Sequence, residues 1–503
     1  MSSRFLIFLS IFARNLVLRD SSPIHKEIVV DMHSCEIGVI GLGVMGRNLA
    51  LNCAEHGFPV VVYNRTAEKT SEFIVRNAAG VALRAGYTLQ EFTELIRKPR
   101  AVIMMVPAGP PVDSMIQELL LFLETGDVLI DGGNSQPADT DRRGKSLQEK
   151  GILYLGTGIS GGEAGARFGP SIMPGGPQKA YERVEPVMEA IAARAGGEPC
   201  VSYLGQGSAG HYVKMVHNGI EYGLMQLIAE TYDLMMRGLG LQAGELHHIY
   251  AQWNEGTTAC YLLEITARIF SVLDEKTGQP LINLILDAAR QKGSGMWTSQ
   301  EALNLQVPTP TIDASVAMRN LSGLKKDRTA VAGVLGLAAP AFSGDRRRFI
   351  EQLRGAFYAG MILTYAQGFA LLYRASQVNT YRLRLAEVAR IWRGGCIIRA
   401  SLLNDIGTAC RTNPDLPNLL MDEQIAQALI THRDDLRAAV QSAAAMGIPA
   451  PAFMASLSYL DSYRSPWLPA NLIQAQRDCF GAHTYERLDM PGTFHSNWQK
   501  DRG

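Results

Sequence analysis

The chain has no excess of either charge: 48 lysines and arginines meet 48 aspartates and glutamates over 503 residues. A protein that grips nucleic acid or another polyanion along its surface needs a basic surplus. None exists here, so any anion site must be a local cluster, and neither a nucleic-acid nor a membrane partner is expected. Cysteine is scarce and scattered. The seven (Cys35, Cys53, Cys200, Cys260, Cys396, Cys410, Cys479) are odd in number, and none forms a C-x-x-C pair. Neither a disulfide framework nor a zinc site is suggested, and a reducing, cytoplasmic compartment fits. No ligand cluster stands out, so no metal is expected. The apolar run near the start, Phe5-Leu-Ile-Phe-Leu-Ser-Ile-Phe12, is too short to span a bilayer. Its positive flank is thin, no small-x-small cleavage site follows, and Met32 stands just before the first strand. Residues 1–34 are expected to be a disordered or spurious extension. A targeting segment and an integral element of the fold are the alternatives.

What the chain does have is length for two sizeable cores. Cys35–Gly41 reads as a short buried strand, Gly41-Leu-Gly43-Val-Met-Gly46 as a glycine-rich turn, Arg47–His56 as a helix and Pro59–Tyr63 as a second strand. That is the dinucleotide-binding fingerprint in its required context. The first glycine permits the tight turn, the second lets backbone approach a pyrophosphate, and the third lets helix and strand pack. The helix N-terminus faces the negative charge. The second strand ends in Asn64-Arg65-Thr66, where an NAD site usually places a carboxylate. An arginine there pairs with a 2′-phosphate, so the reading is NADP, with a plain loop arginine as the alternative. Further strands are read at Arg100–Val106, Asp127–Asp131 and Gly151–Leu155. They end at Pro107-Ala-Gly, at Gly132-Gly-Asn134-Ser135 and at Gly156-Thr-Gly-Ile-Ser160-Gly161-Gly162-Glu163. Strands alternating with helices imply α/β architecture, a Rossmann-like doubly wound parallel sheet. Ser160-Gly-Gly suits a carboxylate or hydroxyl-rich ligand, though simple turn chemistry would give the same residues.

Beyond about residue 208 long helical stretches dominate, to about residue 465. The expected domains are therefore 35–208 for the cofactor, 209–465 all-helical for dimerisation and catalysis, and 466–503 as a C-terminal tail. A weak internal repeat aligns Tyr222–Met235 with Ala359–Leu372, and Ile249–Gly256 with Val388–Gly395. Duplicated helical halves would explain both matches, with chance similarity between amphipathic helices as the alternative. Within the first half, Lys214-Met-Val-His217-Asn218-Gly-Ile-Glu221-Tyr222 places polar groups at i, i+3, i+4 and i+7 of a helix, on one face. At about 1.5 Å per residue, Lys214 and Glu221 stand two turns apart and can flank a small substrate as base and acid. A solvated helix face is the alternative. Gln291–Thr298 reads as a loop with Lys292 as a candidate phosphate contact, and Arg319 falls in a helix; taken alone, each reads more simply as a surface charge. The tail shows little periodicity, and its aromatic residues argue for docking.

Together these stretches resemble the family of NADP-dependent, decarboxylating 6-phosphogluconate dehydrogenases. The resemblance spans roughly residues 36–490 and rests on GLGVMGRNLALN, YNRT, DGGNS, GISGGEAGARFGPSIMPGG, GHYVKMVHNGIEYG, KGSGMWT and ANLIQAQRDCFGAHTYE in that order. It implies that Lys214 is the base and Glu221 the acid. It implies substrate contacts from Ser160, Gly161, Gly162, His217, Asn218, Tyr222, Lys292 and Arg319. Arg477 and His483 match tail residues that reach the other subunit's site, which implies a homodimer with shared active sites. Cofactor contacts fall on Gly41, Leu42, Gly43, Val44, Met45, Gly46, Asn64, Arg65, Thr66, Val106, Pro107, Ala108 and Asn134. Two positions depart from the family: Pro107 where a longer polar residue is usual, and Met296 where a lysine is usual.

The implied reaction is oxidation of 6-phospho-D-gluconate at C3, loss of CO2, and protonation to D-ribulose 5-phosphate, in the pentose phosphate pathway. Two other readings are kept. One is a 3-hydroxyacid dehydrogenase of related plan, which would lack the doubled helical region and the tail. The other is a non-catalytic NADP-binding dimer, which the joint presence of Lys214, Asn218 and Glu221 argues against.

Overall fold

Seven short strands form one sheet, and its order places the cofactor turn. The computed structural model describes residues 34–336 and 342–498. The expectation for residues 1–34 thus lies outside the described residues, apart from Ser34. The strands are β1 (Ile37–Ile40), β2 (Val60–Tyr63), β3 (Leu83–Ala85), β4 (Ala101–Met104), β5 (Val128–Asp131), β6 (Leu153–Ser160) and β7 (Ser171–Gly175). Their order is β3-β2-β1-β4-β5-β6-β7. The first six run parallel, with Ile40 opposite both Tyr63 and Met104, and β7 is antiparallel to β6. The link from β6 to β7 holds only a short helix, Gly162–Phe168. That is too little chain for a parallel crossover, so β7 turns back.

The strands are apolar without interruption because both faces are covered. Val39, Val60, Val62, Ile103 and Ile130 pack on one side with Leu49, Val184 and Met188. Ile40, Val61, Val102, Met104 and Leu129 pack on the other with Phe92, Val112 and Ile116. Alternate residues of one strand serve the two layers, as the two-residue period requires. Chain order reverses between β1 and β4, and the glycine turn after β1 opens into that crevice.

The sequence reading missed β3 and β7 and ended β6 too early. β3 is three residues long and contains Arg84. β7 contains Pro174 and Gly175, which mimic a loop and are tolerated at a sheet edge. Gly156 and Gly158, read as a turn, are in fact strand residues of β6.

Two long buried helices, Ala209–Asp233 and Arg346–Val378, form the axis of the helical part. They approach closely because Gly223 meets Thr364, and a Cβ on Gly360 would lie 2.9 Å from Leu227 Cδ1. Among the described residues, four helices after each follow in matching order, and a further helix, Lys325–Leu335, joins the first set to the second long helix. The first set is Ala243–Trp253, Tyr261–Phe270, Ser294–Asn304 and Pro310–Gly323. The second is Leu385–Ile391, Leu402–Thr412, Glu423–Met446 and Pro451–Tyr463. Trp253 and Trp392 are buried at corresponding places. The halves also pair with each other: Tyr261 N–H donates to Arg399 O and Ser401 N–H to Ala259 O, both at 3.0 Å. This is the duplication that the weak repeat suggests.

Among the described residues, Arg346–Val378 is the one helix long and apolar enough to cross a membrane. However, 94% of its most apolar window is buried within the protein, which is how a core helix behaves. From Cys35 onward the chain forms one continuous body. The tail, expected to show little periodicity, contains a helix, Ala470–Gly481, and a small hairpin pairing Tyr485 with Phe494.

Candidate active site

The cofactor end follows from the glycine turn. Gly41 adopts φ +94°, a conformation other residues avoid. A Cβ on Gly46 would collide with the Gly41 carbonyl oxygen. Gly43 caps the helix Val44–Glu55 with open space around it. Leu42 N–H donates to Asn64 Oδ1 at 3.1 Å, which ties the turn to the end of β2. Asn64 Nδ2 donates to Thr66 O. Arg65 and Thr66 are exposed, and the Thr66 side chain makes no capping bond to the helix Ala67–Asn77 that it begins. A helix N-terminus, a free hydroxyl and an exposed arginine thus follow one another at the end of β2, groups of the kind that bind a phosphate. Val106, Pro107 and Ala108 follow β4, with Pro107 exposed, and Asn134 is exposed after β5. The donor set fits NADP.

The helix Ala209–Asp233 carries the reactive groups, and two glycines of β6 set its depth. A Cβ on Gly158 would overlap the Lys214 side chain, and one on Gly156 would meet Thr140 and His211. The strand therefore yields room for the helix to lie against it. Lys214 is buried, and its Nζ donates to Asn218 Oδ1 at 2.6 Å and lies 3.4 Å from His217 Nδ1. Asn218 Nδ2 donates to Ser294 Oγ at 2.8 Å. His217 Nε2 is 3.1 Å from Ser160 Oγ, and its ring stands edge-on to Trp392. Glu221 Oε2 is 3.9 Å from His217 Nδ1, and the Glu221 side chain stays 22% exposed. Ser160, Lys214, His217, Asn218 and Glu221 thus come together as the sequence suggests.

Burial pushes the Lys214 ammonium below its ordinary value, against the opposing pull of Glu221 and Cys396. Burial also pushes the Glu221 carboxyl up, against Lys214 and Arg319. Burial and then the Lys214 charge hold His217 well below its ordinary value, so its imidazole stays neutral. A neutral amine and a protonated carboxyl are the forms that a base and an acid need.

Tyr222 is buried, and the Arg319 guanidinium stacks 3.5 Å above its ring centroid. Arg319 also reaches Arg290 O and Met225 Sδ. Lys292 is exposed in a short loop, but Ser294 starts a helix, so the expected Gln291–Thr298 loop ends at Gly293. Thr298 Oγ1 donates to Ser294 O within the turn and to Met215 O, 83 residues away, which holds this turn against the long helix. Gly161 and Gly162 sit at φ +125° and +62°, and a Cβ on Gly161 would collide with Gly395 O. Arg477 and His483 are exposed on the tail. Arg477 bonds Gln474 and the His483 ring stands edge-on to Phe480, and among the described residues no hydrogen bond or ion pair joins them to the helix Ala209–Asp233.

One member escaped the sequence reading. His211, a turn before Lys214, bridges Thr140 Oγ1 at 2.7 Å and Asp131 O at 3.0 Å. It helps line a small cavity with Asn134, Ser135, Lys214, Met215, Asn218, Ser294 and Trp297. Asp131 accepts from Ser135 Oγ and Tyr154 Oη and lies 3.6 Å from buried Arg143. This network fixes the loop that carries Asn134. Extending the i, i+3 spacing back from Lys214 would have found His211.

Comparison with known proteins agrees with this geometry. The model of the NAD-binding domain of 6-phosphogluconate dehydrogenase matches residues 36–205, and that of the enzyme's C-terminal domain matches 210–498. Decarboxylating 6-phosphogluconate dehydrogenase of Synechococcus elongatus is 53% identical over 92% of this chain and 99% of its own. The NADP(+)-dependent, decarboxylating enzyme of Bacillus subtilis is 51% identical over 93% and 100%. The Plasmodium falciparum 6-phosphogluconate dehydrogenase, solved in its apo form and with NADP+ and with 6-phosphogluconate, superposes with a TM-score of 0.89 at 44% identity. It covers 92% of this chain and 100% of that one. With the two family models together matching residues 36–205 and 210–498, and relatives about half identical over nearly the whole length, the chain belongs to the 6-phosphogluconate dehydrogenase family.

Proposed function

We propose that Lys214 and Glu221 carry the acid–base steps of this family's reaction in the present chain. The protein is an NADP-dependent oxidoreductase that converts 6-phospho-D-gluconate to D-ribulose 5-phosphate and CO2. The observation that carries the residue assignment is the buried Lys214, hydrogen-bonded to Asn218 and two turns from a Glu221 whose carboxyl is pushed up. NADP, when bound, supplies the hydride acceptor. Neutral Lys214 takes the proton of the C3 hydroxyl as C3 is oxidised. The resulting ammonium donates a hydrogen bond to the C3 oxygen, which draws electrons from the breaking C1–C2 bond as CO2 leaves. Glu221 then gives its proton to the carbon that lost CO2. Asn218 holds the Lys214 amine in place, and neutral His217 places no competing charge beside it.

Ser160, Gly161, Gly162, His217, Asn218, Tyr222, Lys292 and Arg319 form the substrate cradle in this reading. The cofactor lies on the segment 41–46, on Asn64, Arg65 and Thr66, on 106–108 and on Asn134. The tail, residues 466–503, supplies Arg477 and His483 to the partner's site, so the active assembly is a homodimer with shared sites. Exposed Leu472, Ile473 and Phe480 on the tail helix support a docked tail. The cytoplasm, with the pentose phosphate pathway, is the compartment that suits the buried free thiols.

The test is absorbance in the NADPH band with purified protein, NADP and 6-phosphogluconate, with CO2 trapped in parallel. Equal amounts of NADPH and CO2 are expected. NADPH without CO2 would mean a simple hydroxyacid dehydrogenase, and neither product would mean a binding protein.

A further inference from the structure

The tail helix Ala470–Gly481 is exposed almost throughout, and the one buried residue among its twelve is Asp478. That carboxylate gathers four donors from the tail's later turns. Oδ1 accepts from Thr484 N–H at 2.9 Å and lies 2.9 Å from His495 Nδ1. Oδ2 accepts from Ser496 N–H at 3.1 Å and Trp498 Nε1–H at 2.7 Å. Enclosure alone would raise its carboxyl, but these donors outweigh it and hold the group well below the usual carboxylate range. Asp478 therefore ties the helix to the turn after it and to the far end of the hairpin.

The residues it fixes are the ones that matter. Arg477 precedes it, and His483 precedes Thr484, whose N–H it accepts. Ala482 and Thr484 adopt φ +50° and +60°, a left-handed conformation that side chains avoid and a β-branched one avoids most. His483 is thus presented from a turn that needs outside bonds to persist. Gln474 supplies two more: its Nε2 donates to Thr484 O at 2.5 Å, and its Oε1 accepts from Arg477 at 3.0 Å. One carboxylate and one amide thereby lock Arg477 and His483 at a fixed separation.

We propose that Asp478 is a positioning residue which preorganises the tail so that Arg477 and His483 meet the phosphorylated substrate together in the partner's site. This rests on the shared-site reading above. A loose tail would have to be ordered each time substrate binds, which weakens ground-state and transition-state binding alike. The signature is a raised KM for 6-phosphogluconate with kcat nearly kept, because Lys214 and Glu221 are untouched.

The test uses the full-length dimer. Asp478→Asn keeps the shape and loses the charge and two acceptor sites. Its KM for the sugar acid is expected to rise about tenfold or more, with kcat within about threefold and KM for NADP unchanged. Trp498→Phe, which removes a single donor, is expected to give a smaller rise, and serves if the first variant does not fold. Mixed dimers separate the two readings. A dimer of one Lys214→Ala chain and one Asp478→Asn chain has one site with an intact lysine and an intact tail, and is expected to show wild-type KM. A dimer of Lys214→Ala with Arg477→Ala is the control for sharing. Rescue in that control, with normal KM in the Asp478→Asn homodimer or no rescue in its mixed dimer, overturns the role of Asp478 alone. No rescue in the control overturns the shared site and the proposal with it.

Discussion

At the residue scale, the proposed base is one buried amine, and its burial and neighbours shift its protonation. Glu221 holds its proton to a higher pH than an exposed glutamate does, because burial outweighs Lys214 and Arg319. Glu221→Gln is expected to lower kcat by about 10²–10⁴-fold and to remove the alkaline limb of its pH profile, leaving the acid limb set by Lys214. An unchanged alkaline limb would assign that limb elsewhere. At the cofactor end, Arg65→Asp puts a carboxylate where the proposed site would take the 2′-phosphate. KM for NADP is expected to rise about 100-fold while KM for NAD falls; equal loss for both would make Arg65 a loop arginine. These residues were legible because their chemistry travels in short motifs. Ser294 and His211 were less so: their partners, Asn218 and the pair Thr140 and Asp131, are remote in sequence and meet only after folding.

At the element scale, the depth of the long helix against β6 is set by missing side chains. Gly158→Ala would drive a methyl group into Lys214. Overpacking of this kind costs about 1–3 kcal/mol, so a lower midpoint in denaturant and a lower kcat are expected together. A variant with both unchanged would show that the contact can relax. Sequence alone took Gly156 and Gly158 for a turn, since nothing local says that a helix from fifty residues later needs their space.

Further along the same helix, buried Glu230 accepts from Ala452 and Phe453 N–H, at the start of the helix Pro451–Tyr463. Burial pushes its carboxyl up to about 7, against the pull of those bonds. The folded state therefore holds this proton more tightly than the unfolded chain, whose value is near 4.5. The stabilisation is complete below 4.5 and is lost as pH rises through about 7, a change of roughly 3 kcal/mol. The stability difference between wild type and Glu230→Gln, from denaturant midpoints at several pH values, is expected to shrink across that window. A flat difference would mean that Glu230 does not titrate there.

At the scale of the whole molecule, a nucleotide-binding sheet and a duplicated helical part bring one helix to the sheet's carboxyl edge. The sheet was legible because buried parallel strands read as apolar runs punctuated by glycine. The duplication was legible only faintly, because core packing asks for apolar spacing and not for particular residues, as with Trp253 and Trp392. The tail was hardest to read. Asp478 organises it through partners up to twenty residues away, and no periodic pattern announces such a fold.

The decisive measurement is single-turnover NADPH formation by Lys214→Ala, with NADP affinity and thermal unfolding recorded on the same preparation. A loss of about 10³-fold or more, with cofactor binding and folding intact, is expected if the buried amine is the base. Turnover near wild type in a folded, NADP-binding variant would contradict it and move the proton transfer to another group.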